Sequence, residues 1–247
     1  MPIHDFTSER LFVDAPLAAG ASIPASDEQA HYLRNVLRLS AGAQLLVFNG
    51  RDGEWQARID LPTRKSVVLH VVAQTREQVG GPDIDYLFAP LKRARLDYLV
   101  QKAVEMGVAR LRPVLTHRTI AERVNLDRLR ANVIEAAEQC GVLRVPEVVE
   151  PAKLEKALAS LESGRVLILC DEDAEVADPI TALSALPRGT PLALLIGPEG
   201  GFSPEERAML LRRSGTVRLS LGPRIMRADT AAVAALALLN ATLGDWR

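Results

Sequence analysis

The chain predicts an α/β protein with a largely parallel sheet, preceded by a small β-rich module. Three observations carry this. From about residue 84 onward, apolar strand-like runs alternate with helical stretches, the pattern of a parallel sheet covered on both faces. Residues 1–73 read instead as short strand-like runs broken by turn signals. The last two strand-like runs, Pro191 to Ile196 and Val217 to Leu221, each open into a glycine-punctuated loop.

In the first module the strand-like runs are Leu11-Phe-Val13, Gln44-Leu-Leu-Val-Phe48, Glu54-Trp-Gln-Ala-Arg-Ile59 and Ser66-Val-Val-Leu-His-Val-Val72. Asn49-Gly50 and Asp52-Gly53 between them are hairpin signals, and the whole reads as a small barrel or sandwich. A helix is expected from about Glu28 to Leu39, ahead of a turn at Gly42. On it His31, Arg34 and Arg38 fall at i, i+3 and i+7, one face that suits phosphates as well as it suits bulk water. With eight acidic and seven basic side chains in the module, any RNA contact there must be a local patch. Residues 74–83, polar and carrying Gly80-Gly-Pro82, have the composition of a linker.

The second part starts with Ile84-Asp-Tyr-Leu-Phe-Ala89. The helical stretch Leu96 to Glu105 follows, with an apolar stripe of Leu96, Leu99, Val100, Ala103 and Val104, ended by Gly107. Then come a strand at Leu111 to Leu115, a helix near Leu126 to Gln139, and the buried run Val166 to Cys170. With the two runs already named this makes five strands. Ser203-Pro-Glu-Glu206 starts a helix with a capping box and proline in its first turn, closed by Gly215. The final helix, about Asp229 to Leu243, is apolar nearly all round and must be enclosed by the sheet or by a second subunit.

In open α/β sheets ligands sit outside the carboxyl ends of the strands, where glycine lets main chain approach closely. That selects Gly197-Pro-Glu-Gly-Gly201 and Gly222-Pro-Arg-Ile-Met-Arg-Ala-Asp-Thr230 as the site, the second loop carrying Arg224, Arg227 and Asp229.

Several function classes are excluded. Net charge is −1, so no global basic field is present, and 48% hydrophobic residues over 247 positions supply an ample core. The segment Met1 to Arg10 lacks the apolar core of a secretory signal, and the apolar tract Ala231 to Leu239 is too short to span a bilayer. Cys140 and Cys170 are lone thiols, which fits a reducing cytoplasm and neither disulfides nor structural zinc. No two of His4, His31, His70 and His117 have metal-ligand spacing. The dinucleotide glycine fingerprint, the phosphate-binding P-loop and the nucleophile elbow are all missing.

Ile196-Gly-Pro-Glu-Gly-Gly-Phe-Ser203 together with Leu221-Gly-Pro-Arg-Ile-Met-Arg-Ala-Asp-Thr-Ala231 resembles the paired signature of the SPOUT methyltransferases, specifically the RsmE-type family that methylates uracil N3 in small-subunit ribosomal RNA. Supporting matches include Arg10-Leu-Phe-Val13, His31-Tyr-Leu-Arg-Asn-Val-Leu-Arg38, Phe48-Asn-Gly50, Lys92, Gln101-Lys-Ala-Val-Glu-Met-Gly107 and Glu135-Ala-Ala-Glu-Gln139, so the resemblance covers almost the whole chain. It implies a PUA-like barrel for RNA over residues 1–73 and a methyltransferase domain over 84–247, its last segment threaded into a deep trefoil knot. It further implies S-adenosylmethionine bound in the knot loops, a homodimer, and 16S ribosomal RNA or the small subunit as partner, without metal.

Under that resemblance, the main chain of Ile196, Gly197, Pro198, Glu199, Gly201, Leu219, Ser220, Leu221 and Gly222 holds adenine and ribose, with Leu221, Ile225 and Met226 stacking on the ring. Arg227 is the candidate to stabilise a uracil anion. Asp229 is the candidate base or else a helix cap, and Glu199 a substrate contact or a loop brace. Arg10, His31, Arg34, Arg38, Lys92 and Arg93 become candidate RNA contacts. Two departures stand out. Arg227-Ala-Asp-Thr-Ala231 replaces the usual Arg-Thr-Glu-Thr-Ala, and Cys140-Gly-Val142 replaces Ser-Gly-Arg, which moves a basic side chain toward Arg144. A related enzyme acting on another RNA or base atom, and a non-catalytic RNA-binding assembly factor, are the alternatives.

Overall fold

The structure is a computed structural model that describes residues 7–63, 65–120, 123–174 and 178–246, the side chain of Arg93 excepted. Its contacts divide it into two units. One runs through Gly80 and also takes in Ala137–Val145; the other comprises Gly81–Ala136 and Pro146 onward.

The first unit is a curled five-stranded sheet: β1 (Arg10–Phe12), β2 (Ser22–Pro24), β3 (Gln44–Phe48), β4 (Glu54–Asp60) and β5 (Val68–Arg76), in the order β1-β3-β4-β5-β2. β1 runs parallel to β3 and the other pairs are antiparallel. Alternating residues such as Leu45, Val47, Ala57, Ile59, Leu69 and Val71 meet in one core. In the β3–β4 turn, the Asn49 side-chain oxygen accepts from the amides of Arg51 (2.9 Å) and Asp52 (2.8 Å). Gly53 holds φ +81° there.

The helix expected over 28–39 is shorter. Helix α1 (Asp27–His31), capped reciprocally by Ser26 and Gln29, passes into a π-helical turn at Tyr32–Val36. Arg38 has left the helix with φ +54°. His31, Arg34 and Arg38 therefore do not share one regular helical face. β2 carries no strong strand signal, and β5 continues to Arg76, so the stretch expected to be a linker from residue 74 begins inside a strand.

The second unit contains β6 (Ile84–Phe88), α2 (Arg93–Glu105), β7 (Arg110–Leu115), α3 (Leu126–Cys140, its last turn grouped with the first unit), β8 (Glu147–Val148), β9 (Ala152–Lys153) and α4 (Leu154–Ala159). β10 (Val166–Cys170), α5 (Pro179–Ser184), β11 (Leu192–Ile196), α6 (Pro204–Arg212), β12 (Thr216–Leu219) and α7 (Ala228–Thr242) complete it. All strand pairs are parallel, ordered β12-β10-β11-β6-β7-β8, with β9 pairing to β7. Seven strands replace the expected five because β8 and β9 are two residues each, too short for periodicity to show. Every residue of β6 and β11 is buried, as a sheet covered on both faces requires.

β12 lies outside β10, yet α7 returns to pack on β11, α2 and α5. The chain thus recrosses the sheet end after its last strand, the passage on which the expected knot depends. Among the described residues no helix is long and apolar enough to cross a membrane.

Candidate active site

A cavity of about 670 Å³ opens where β10, β11 and β12 end. Its walls are the segments that leave those strands, residues 169–173, 196–202, 219 and 221–228, together with Arg118, Arg207 and Ala231. Adjacent parallel strands put their carboxyl ends on one side of the sheet, which is why three segments distant in sequence converge here.

Local chemistry shapes each wall. Gly201 (φ +71°) donates its amide to the Pro198 carbonyl at 2.8 Å, closing a tight turn that a side chain at 201 would strain. A Cβ at Gly197 would stand 2.8 Å from the Phe202 ring, so the contact between residue 197 and that ring requires bare main chain at 197. Ser203 caps α6, its hydroxyl accepting from the Glu206 amide while the Glu206 carboxylate accepts from the Ser203 amide. Arg118 donates to the Gly200 carbonyl at 2.6 Å and steadies the turn from outside.

Of the residues selected from the sequence, Ile196, Gly197, Pro198, Glu199, Gly201, Leu219, Leu221, Gly222, Ile225, Met226 and Arg227 all line this one cavity. Ser220 does not; its hydroxyl lies 3.4 Å from the Gly222 amide. Ile225, expected to stack on the adenine, is 94% exposed and stands at the rim. Glu199 is ion-paired to Arg95 of α2.

Asp229 is outside the lining, in the first turn of α7, where its carboxylate accepts from the Thr230 amide at 2.8 Å. The reading of Asp229 as helix cap is corrected, because the cap position is Arg227.

The RNA candidates separate by exposure. Arg10 is 9% exposed, its guanidinium bonded to the buried carboxylate of Glu54 at 2.9 Å, so it braces the first unit from within. Arg34 is half-buried and donates to the Thr63 carbonyl at 2.8 Å. His31, Arg38 and Lys92 are exposed, and the side chain of Arg93 lies outside the described residues. Arg144 donates to the Gly80 carbonyl, so the basic group shifted by the Cys140-Gly-Val142 departure is engaged with main chain.

Sequence reasoning missed the third wall, Cys170 to Asp173, and with it Arg118 and Arg207. The signal is present in the sequence: Val166–Cys170 is a buried strand-like run, and its carboxyl end falls under the same rule that selects the other two loops. Burial, and then the neighbouring Asp171 carboxylate, push the Cys170 thiol up to about 12.

Residues 80–240, more than half of the chain, match the family model described as RNA methyltransferase domain. The chain belongs to that family. Residues 25–72 match the family's RNA methyltransferase PUA domain. Similarity to individual RNA methyltransferases runs the length of the chain. The protein named ribosomal RNA small subunit methyltransferase E from Rickettsia conorii is 29% identical over 92% of this chain and 93% of its own length. The protein of the same name from Synechocystis is 30% identical, over 95% of this chain and 78% of its own. A Legionella pneumophila protein, described as a candidate methyltransferase and solved with bound S-adenosylmethionine, superposes with a TM-score of 0.82 at 30% identity, covering 96% of this chain and 99% of that one.

Proposed function

We propose that this chain methylates N3 of a uridine in small-subunit (16S) ribosomal RNA, with S-adenosylmethionine as methyl donor. The observation that carries the reading is the cavity. Two Gly-Pro loops and their flanking strands converge on it in a chain whose full-length relatives are named small-subunit rRNA methyltransferases.

The residues present fit the cofactor. A space of about 670 Å³ is in the range of a small-molecule site. Main chain at 196–201 and 219–222 offers amides and carbonyls to a flat polar ring, with Leu221 and Met226 as apolar cover. Bound there, S-adenosylmethionine supplies an electrophilic methyl group on a sulfonium sulfur.

The rest of the work falls to this chain's side chains. Uracil N3 holds its proton at neutral pH, so the proton must leave as the methyl arrives. Arg227 is the residue we assign to stabilise negative charge on the uracil carbonyls, a role its place in the cavity wall supports. Glu199 lines the cavity and is held by Arg95, which supports positioning of substrate; Asp229 follows the wall residue Ala228 in the first turn of α7 and is the proton acceptor we assign. Holding base and donor at reacting distance supplies much of the acceleration. His31, Arg38 and Lys92 are the RNA backbone contacts we assign, a reading their exposure supports.

The chain acts as a cytoplasmic homodimer in this reading. Val233, Ala234, Ala237 and Leu238 of α7 are only half-buried within one copy, an apolar stripe that a second copy would cover.

Cells lacking the protein should lose N3-methyluridine from small-subunit RNA when nucleosides are measured by mass spectrometry; an unchanged level overturns the assignment. With purified protein, Arg227→Ala should keep cofactor binding by calorimetry and lose turnover by roughly tenfold or more. Gly197→Val should abolish cofactor binding, since its side chain collides with Phe202. Equal loss of binding and turnover in Arg227→Ala would show that its role is misplaced. Absence of binding in the unsubstituted protein would leave only a non-catalytic RNA-binding function.

A further inference from the structure

We infer that Asp171 is a positioning residue for the cofactor pocket, a single carboxylate that fixes the relative placement of all three loops walling the cavity. The inference rests on the methyltransferase reading above and deepens it.

Asp171 is 5% exposed and follows the last residue of β10. Its carboxylate accepts from both terminal nitrogens of Arg207, at 2.7 and 3.1 Å, and from Nε of Arg218 at 2.7 Å. Arg207 belongs to α6, the helix that starts directly after the Gly197–Gly201 loop. Arg218 belongs to β12, the strand that feeds the Gly222 loop. The Asp171 amide donates to the Leu219 carbonyl at 3.0 Å, and its side chain also accepts from the Asp173 amide at 3.2 Å, which folds its own loop. Arg207 reaches Asp173 as well, at 3.3 Å.

Each wall of the cavity is therefore tied to one buried group. None of these ties is a helix or sheet bond of the walls themselves, apart from the amide of Asp171 along the β10–β12 ladder. The walls leave three different strands, and glycine-rich main chain has little of its own to hold it in register. A bidentate guanidinium and a second, side-on guanidinium supply that rigidity with directional, charge-assisted bonds. Asp171 and Arg207 both border the cavity, so a shift of either moves its wall. Precision in a binding site depends on such supporting contacts.

The test compares the unsubstituted protein with Asp171→Asn, Arg207→Gln and the double variant. Calorimetry gives the Kd for S-adenosylmethionine, turnover at saturating cofactor gives the KM for RNA, and circular dichroism reports folding. Asp171→Asn should raise the cofactor Kd roughly tenfold and leave the RNA KM within about twofold, and the double variant should be no worse than the weaker single one, because both break one clasp. A merely structural brace would lower the melting temperature with cofactor Kd unchanged, and that result overturns the inference; so does full additivity. Should Asp171→Asn fail to fold, Arg207→Gln decides, its partly exposed side chain being dispensable for the core: an unchanged cofactor Kd overturns the inference. Failure of the unsubstituted protein to bind S-adenosylmethionine would instead sink the proposed function.

Discussion

Burial pushes the Asp171 carboxyl up, but the bonds from Arg207 and Arg218 more than offset it and hold the group below the ordinary carboxylate value. A group with a depressed folded value contributes stability above its unfolded value, about 3.9, and loses it as pH falls through the folded one. Acid unfolding should therefore steepen below about pH 4 in the unsubstituted protein, and Asp171→Asn should lack that component; identical acid profiles would refute the linkage. The neighbouring Cys170 thiol, raised to about 12, stays protonated near neutrality. Iodoacetamide at mildly alkaline pH should label the exposed Cys140 and spare Cys170, read by peptide mass spectrometry. The acid at 171 was visible as a letter, but its role was not, because its partners lie 36 and 47 residues away and only the fold brings them to it. Arg10 shows the same limit: its sequence context could not disclose Glu54, 44 residues on, as the partner that takes it out of solvent.

At the scale of elements, signals written in neighbouring residues carried over well. The capping box at Ser203 and Glu206, the strand Gln44–Phe48 and the run Val166–Cys170 all form where their local pattern places them. Asp52-Gly53 forms the turn its sequence signals, and the structure gives the reason for the glycine: with φ +81°, a Cβ at 53 would sit 2.3 Å from the Arg76 carbonyl oxygen. Gly53→Ala should thus cost more than the ~1 kcal/mol of an ordinary glycine replacement, because the β4–β5 pairing must open to admit the methyl group. Chemical denaturation followed by circular dichroism checks this, and a loss below that figure would mean the turn relaxes freely. Where the local pattern misled, a tertiary demand intervened. The stretch 32–36 has helical periodicity but winds as a π turn with Leu33 buried, and no short-range rule distinguishes that winding from an α-helix.

For the molecule as a whole, strand order was the least legible feature. Alternating runs announce a parallel sheet, but nothing in Thr216–Leu219 says that it pairs outside β10 rather than beside β11. That choice creates the cavity, because it splays the last two loops to either side of the β10 end. It also sends α7 back across the sheet, where it buries Ala231, Ala235, Leu236 and Leu239 and leaves Val233, Ala234, Ala237 and Leu238 half-covered. A helix apolar nearly all round must be enclosed; β11, α2 and α5 enclose one side of α7, and a second copy is the occupant we assign to the other. Burying a Leu side chain is worth roughly 1.5–3 kcal/mol, and an aspartate in its place would strand a charge in an apolar contact. Light scattering should find the unsubstituted protein at twice the monomer mass, and Leu238→Asp should shift it to monomers with its circular dichroism spectrum retained. A monomeric unsubstituted protein, or a variant that stays dimeric, would show that α7 is not the surface where copies meet.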